Sequence, residues 1–140
     1  METRRTPDLS LRETFLRAAA GLPREDERAA VVGEALGYLQ RGFDAHYAGG
    51  GASDDDVLVG DNAYALAVET IARLDEPRFV AVASRMIRDG AGRIAEGGTV
   101  TVEMWTPHLS GLLDVISEEG AEKSEARIRE AARDLRDQGG

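Results

Sequence analysis

Few residues of this chain are of types that could do chemistry. They fall into small groups: Asp44 with His46, the run Asp54-Asp55-Asp56, Asp61, and His108 far downstream. A neighbouring Asp and His can share a proton or hold a metal, and carboxylates one helical turn apart can hold magnesium beside phosphate oxygens. Asp44 and His46 stand two residues apart, so they do not share a helix face. They close an apolar stretch just before a glycine run, a place for either a cavity mouth or a solvated helix end with His46 at the negative pole of the dipole. Three consecutive aspartates on a helix point in three directions, which suits an N-terminal cap better than an ion. With two histidines and no cysteine, a metal shared by His46 and His108 requires a fold that brings them together, and thiol chemistry is excluded. No serine sits in a Gly-x-Ser-x-Gly elbow, and Gly49-Gly50-Gly51 lacks the lysine of a nucleotide loop. Neither nucleophilic catalysis nor a cofactor is expected.

The elements that must position these groups read as helices. An apolar fraction of 42% with only 5% aromatic residues favours a core of Ala, Val, Leu and Ile with closely spaced helices. The expectation is a compact all-α bundle of about five to seven helices, in one domain spanning 1–140. Residues 1–8 are expected to be flexible. Ser10-Leu11-Arg12-Glu13 reads as a capping box for a first helix ending near Gly21, and Pro23 as the first turn of a second helix, with Glu25, Asp26 and Glu27 against its dipole. Val32, Leu36, Leu39 and Phe43 form its apolar stripe, and the glycines of 47–53 break it at the main hinge. A third helix starts at Ser53, with Leu58, Val59, Asn62, Leu66, Thr70 and Leu74 at spacings of three and four. Pro77 opens a fourth, apolar on more than one face and so expected to be central, in which Gly90 and Gly92 imply a close approach or a bend. Residues 99–105 alternate like a strand, but one strand has no partner here, so a helix start or extended connector is preferred. Thr106-Pro107 restarts a helix to Gly120, and 121–140 hold a last helix, charged over 124–137 and anchored only by Ile128 and Leu135, weakly held or awaiting a partner.

A formal charge of −9, with 17 basic residues interleaved among 26 acidic ones, argues against nucleic acid as a partner. No apolar stretch approaches the ~20 residues that span a bilayer, so membrane contact is expected to be peripheral at most and the chain cytoplasmic.

Residues 57–97 carry one further signal. An apolar stretch leads into Gly60-Asp61, a long apolar helix follows, and a Pro77-started helix ends in Ala95-Glu96-Gly97. This order resembles the middle of trans-prenyltransferases, the all-helical enzymes that make polyprenyl diphosphates. Those enzymes hold magnesium and an allylic diphosphate between two Asp-Asp-x-x-Asp motifs, and this sequence has neither. Residues 31–47 lie where the first such motif would be, with only Asp44 and His46 left of a polar cluster. The pattern, over about 31–120, is similar to the small non-catalytic subunit of heterodimeric heptaprenyl-type diphosphate synthases. It implies a truncated isoprenoid-synthase-like bundle that supports a catalytic polyprenyl diphosphate synthase subunit and shapes its product tunnel, with all magnesium held by that partner. The alternative is a self-associating helical scaffold or regulatory protein. Candidate binding positions are then Asp44, His46, Gly60, Asp61 and Tyr64, and candidate groove or interface positions are Phe43, Leu66 and Trp105. Asp61 is read as either a dipole partner or a buried acceptor tying helices together, and Tyr38, Tyr64 and Trp105 as groove lining or ordinary core.

Overall fold

A computed structural model describes residues 10–23, 26–46, 53–97 and 102–139. They hold the helices α1 (Leu11–Ala20), α2 (Glu27–His46), α3 (Asp54–Ala72), α4 (Pro77–Ala95), α5 (Val102–Ser117) and α6 (Ala121–Gly139), with no strand among them. The fold is an all-α bundle. None of these helices is long and apolar enough to cross a membrane. The glycine run proposed as a hinge, apart from Ser53, and the N-terminal 1–8 lie outside the described residues.

Local chemistry sets most helix ends. The Ser10 hydroxyl accepts the Glu13 N–H at 3.1 Å, and Gln40 on α2 reaches across to accept the Leu11 N–H at 2.8 Å. Gly21 ends α1, and the Arg127 guanidinium of α6 donates to its carbonyl at 2.9 Å. At α3 the box is complete: Asp56 N–H donates to the Ser53 hydroxyl at 3.1 Å, and Ser53 N–H to the Asp56 carboxylate at 3.2 Å. Glu76 caps α4 ahead of Pro77, its carboxyl pushed down to about 2 by the side-chain and backbone N–H donors of Arg78. Pro23, by contrast, stands in a bend, and α2 begins only at Glu27, where the Asp26 carboxylate accepts the Arg28 N–H at 2.9 Å.

Packing overrides the sequence reading in three places. First, Leu58, Val59 and Asn62 are exposed, and α3 instead buries Gly60, Ala63, Tyr64, Ala67, Thr70 and Ile71. The small residues win because α2 and α3 pack as an antiparallel pair with almost no room between them. A Cβ on Gly60 would lie 3.1 Å from the Gly42 carbonyl oxygen, and one on Gly42 would lie 3.2 Å from the Gly60 carbonyl oxygen. Second, α5 is one helix from Val102 across Pro107, so the preferred helix start is found at 102–105 but the expected restart at Thr106 does not occur; residues 99–101 lie outside the described residues. Trp105, Leu109, Leu112, Leu113 and Ile116 recur at helical spacing and are all buried, which outweighs the β-propensity of the preceding residues. Third, the central helices are α2, in contact with α1, α3, α4 and α5, and α5, in contact with α1, α2, α4 and α6. The fourth helix buries one face only, Phe79, Val82, Ala83, Met86 and Gly90, while Arg78, Arg85, Arg88 and Arg93 face solvent. Within it Gly90 receives the Phe43 ring, where a Cβ would lie 2.8 Å from Cζ, whereas Gly92 has open space.

The last helix spans Ala121–Gly139 and buries Ser124, Ile128, Ala131 and Ala132, with Leu135 half-buried. Arg127 binds both Glu119 carboxylate oxygens, at 2.7 and 3.1 Å, so α6 is tied to the α5–α6 turn as well as to α1.

Candidate functional site

The α2–α3 contact builds the site. On α2, Gly42 is followed four residues later by His46; on α3, Gly60 is followed four residues later by Tyr64. Residues four apart share a helix face, so each helix presents a gap and then a ring. The Tyr64 ring covers Gly42, where a Cβ would lie 2.6 Å from its Cδ1, and the His46 ring covers Gly60. The two rings meet edge to face with centroids 5.0 Å apart.

Polar contacts around His46 fix its tautomer. Nε2 faces two acceptors, the Val57 carbonyl at 3.2 Å and the Asp61 carboxylate at 3.3 Å, while Nδ1 faces the Tyr64 hydroxyl at 3.3 Å. Burial, with a smaller contribution from the Asp61 charge, raises the Tyr64 phenol well above its ordinary range, so it stays protonated and donates. In the neutral imidazole, Nδ1 then accepts from Tyr64 and Nε2 donates to the Val57 carbonyl, with the Asp61 carboxylate beside it. His46 stands in the last turn of α2, at its negative pole, and also binds the first turns of α3. Asp61 lies beside the His46 ring as an exposed carboxylate rather than a buried acceptor, its side chain 62% accessible. Asp44, on the other side of α2, is exposed.

The rings continue inward. Tyr64 tilts against Phe43 at 5.5 Å, Phe43 stacks on Trp105 at 4.9 Å with an angle of 11°, and Trp105 meets His108 at 5.8 Å. His108 Nε2 then lies 2.9 Å from the Asp89 carboxylate. The two histidines thus terminate one file of rings, and each pairs with its own aspartate. The fold does not bring them to a common metal, and among the described residues no three His, Cys, Asp or Glu side chains converge on a point where an ion would sit. Phe43 and Trp105 are buried in the core, Leu66 and Tyr38 are half-buried, and Tyr38 lies under the Arg41 guanidinium at 5.6 Å.

The sequence reading missed the His108–Asp89 pair, whose members lie on different helices 19 residues apart. It also missed the matched glycine-to-ring spacing in α2 and α3, which was readable as a repeated four-residue interval. Chemically, a phenol held un-ionised is a donor and not a base, and no Ser or Cys lies within hydrogen-bond reach of His46 among the contacts of the described residues. The arrangement is suited to locking two helices together beside a surface. That surface is the second turn of α3, where Val57, Leu58 and Val59 are 40%, 65% and 52% accessible, the large apolar side chains left exposed among the described residues.

Compared with known proteins, the chain matches no family model, no curated protein and no solved structure.

Proposed function

We propose that the chain is a non-catalytic helical subunit that docks a larger partner through the α2–α3 end of its bundle. The observation that supports this is the placement of Val57, Leu58 and Val59 in solvent on a turn held rigid by the Gly42–Gly60 contact and the His46 bonds. Exposed apolar side chains on a rigid support suit docking better than catalysis. The likeness of the Gly60-Asp61 region to prenyltransferases points to the partner class, a catalytic polyprenyl diphosphate synthase subunit whose product tunnel this chain shapes. In that reading the partner supplies both aspartate motifs and the magnesium.

Co-expression with such a subunit tests the proposal. A stable complex is expected, with a product length different from that of the catalytic subunit alone, and Leu58→Asp should disperse it without unfolding the chain. Prenyl transfer by the isolated chain, given allylic diphosphate, isopentenyl diphosphate and magnesium, would refute the non-catalytic reading. A homodimer that Leu58→Asp dissociates, with no heteromeric complex, assigns the surface to self-association.

A further inference from the structure

The outer face of α6 carries a row of arginines. Arg129, Arg133 and Arg136 stand at intervals of four and three, so they share a helix face. With Glu103 and Thr106 of α5 they line a groove of about 350 Å³ whose wall on α6 includes Ala132. No bulky side chain of α6 fills it. Arg129 is held by Glu125 at 2.8 Å and Arg136 by Glu103, whereas Arg133 makes no ion pair among the described residues. With Glu125 and Glu103 pairing the outer two guanidinium groups, the charge of Arg133 is left over at the groove, in a chain whose formal charge is −9. Partnering of the outer two arginines positions them, and the middle one is left with its N–H donors facing solvent. Guanidinium groups match the oxygens of a tetrahedral anion in pairs, which makes this lining a better fit to phosphate than to a lone carboxylate.

We propose that the α5–α6 groove binds a phosphate monoester group, held directly by Arg133 and flanked by Arg129 and Arg136. The group's source is either a soluble phosphate compound or the headgroup of an anionic lipid. The test uses the full chain at constant ionic strength. Inorganic phosphate is titrated while backbone amide resonances are followed, and binding to vesicles of phosphatidic acid in a neutral lipid is measured in parallel. Saturable shifts confined to residues 129–136 and the first turns of α5 support a soluble source. Vesicle binding without a response to inorganic phosphate supports the lipid source. In either case Arg133→Ala should weaken binding about tenfold or more, consistent with loss of a charge-assisted pair. Arg88→Ala, which removes an exposed arginine on α4, should leave it unchanged. Fold integrity is checked by the thermal midpoint of each variant, and Arg133→Lys should retain part of the affinity. Shifts that never saturate, vesicle binding that Arg88→Ala weakens as much as Arg133→Ala, or affinity untouched by Arg133→Ala would each overturn the site.

Discussion

The two histidines end the same file of rings but are held in different ways. His46 has three polar partners at 3.2 to 3.3 Å, the Val57 carbonyl, the Asp61 carboxylate and the Tyr64 hydroxyl, and its ring lies on the backbone of Gly60. His108 has one short bond, 2.9 Å to Asp89, and its ring leans on Trp105. The first is positioned mainly by shape, because a glycine on the facing helix leaves room for it. The second is positioned by a single short hydrogen bond to a carboxylate, between α4 and α5. Fixing a side chain by backbone shape and fixing it by a charge partner should respond very differently to substitution.

Cutting the file in its middle should have the largest effect, because both ends depend on it. Phe43→Ala removes a ring that contacts Tyr64, Trp105 and Gly90 and is expected to cost about 3–5 kcal/mol in urea denaturation. Next comes the shape-defined end alone. Gly60→Ala should cost about 1–3 kcal/mol, since the added carbon meets the His46 ring and sits 3.1 Å from the Gly42 carbonyl oxygen. Gly92→Ala, in open space on α4, should be neutral or stabilising by up to about 1 kcal/mol. Equal costs for the two would remove the shape argument.

Tyr64 gives a smaller and pH-dependent contrast. Tyr64→Phe deletes the donor to His46 Nδ1 and should cost about 0.5–1.5 kcal/mol near neutral pH. Because folding raises the phenol's pKa, the stability it contributes is complete below the ordinary value of about 10 and is lost as pH rises beyond it, when the unfolded chain ionises first. Thermal midpoints of the wild type should therefore fall more steeply above about pH 10 than those of Tyr64→Phe. The smallest effect separates the two carboxylates. Asp89→Asn and Asp61→Asn should each cost no more than about 1 kcal/mol, with Asp89→Asn the larger because His46 keeps Val57 and Tyr64 while His108 loses its short bond. The reverse order, read from the same denaturation curves, would show that charge also governs the His46 end.

What could be read from the sequence was local. Ser10, Ser53, Gly21 and Pro77 act on backbone groups a few residues away, and the structure places a helix boundary at each of them. The all-helical class followed from composition and spacing, and the spread of the Asp54-Asp55-Asp56 run around a helix start was resolved as capping by Asp56. Whatever depended on a facing helix was not readable. Leu58 and Val59 looked like core because they are apolar, yet the near-contact of Gly42 and Gly60 turns the other side of α3 inward. Residues 99–105 alternate like a strand, and the preferred helix start is what 102–105 form, but that this start runs unbroken through Pro107 was not readable, since it follows from the burial of Trp105 against Phe43. His46 and Asp61 were singled out, but their partnership was not, since neither spacing nor type tells one residue which turn of a neighbouring helix it will meet.

The reciprocal fit of Gly42 with Tyr64 and of Gly60 with His46 also acts as a ratchet. If either helix slid along the other by one turn, side chains would land where backbone now passes, so the hairpin has a single allowed alignment that does not rely on the segment joining its halves. Shortening or lengthening that connection should leave the two helices meeting at the same teeth.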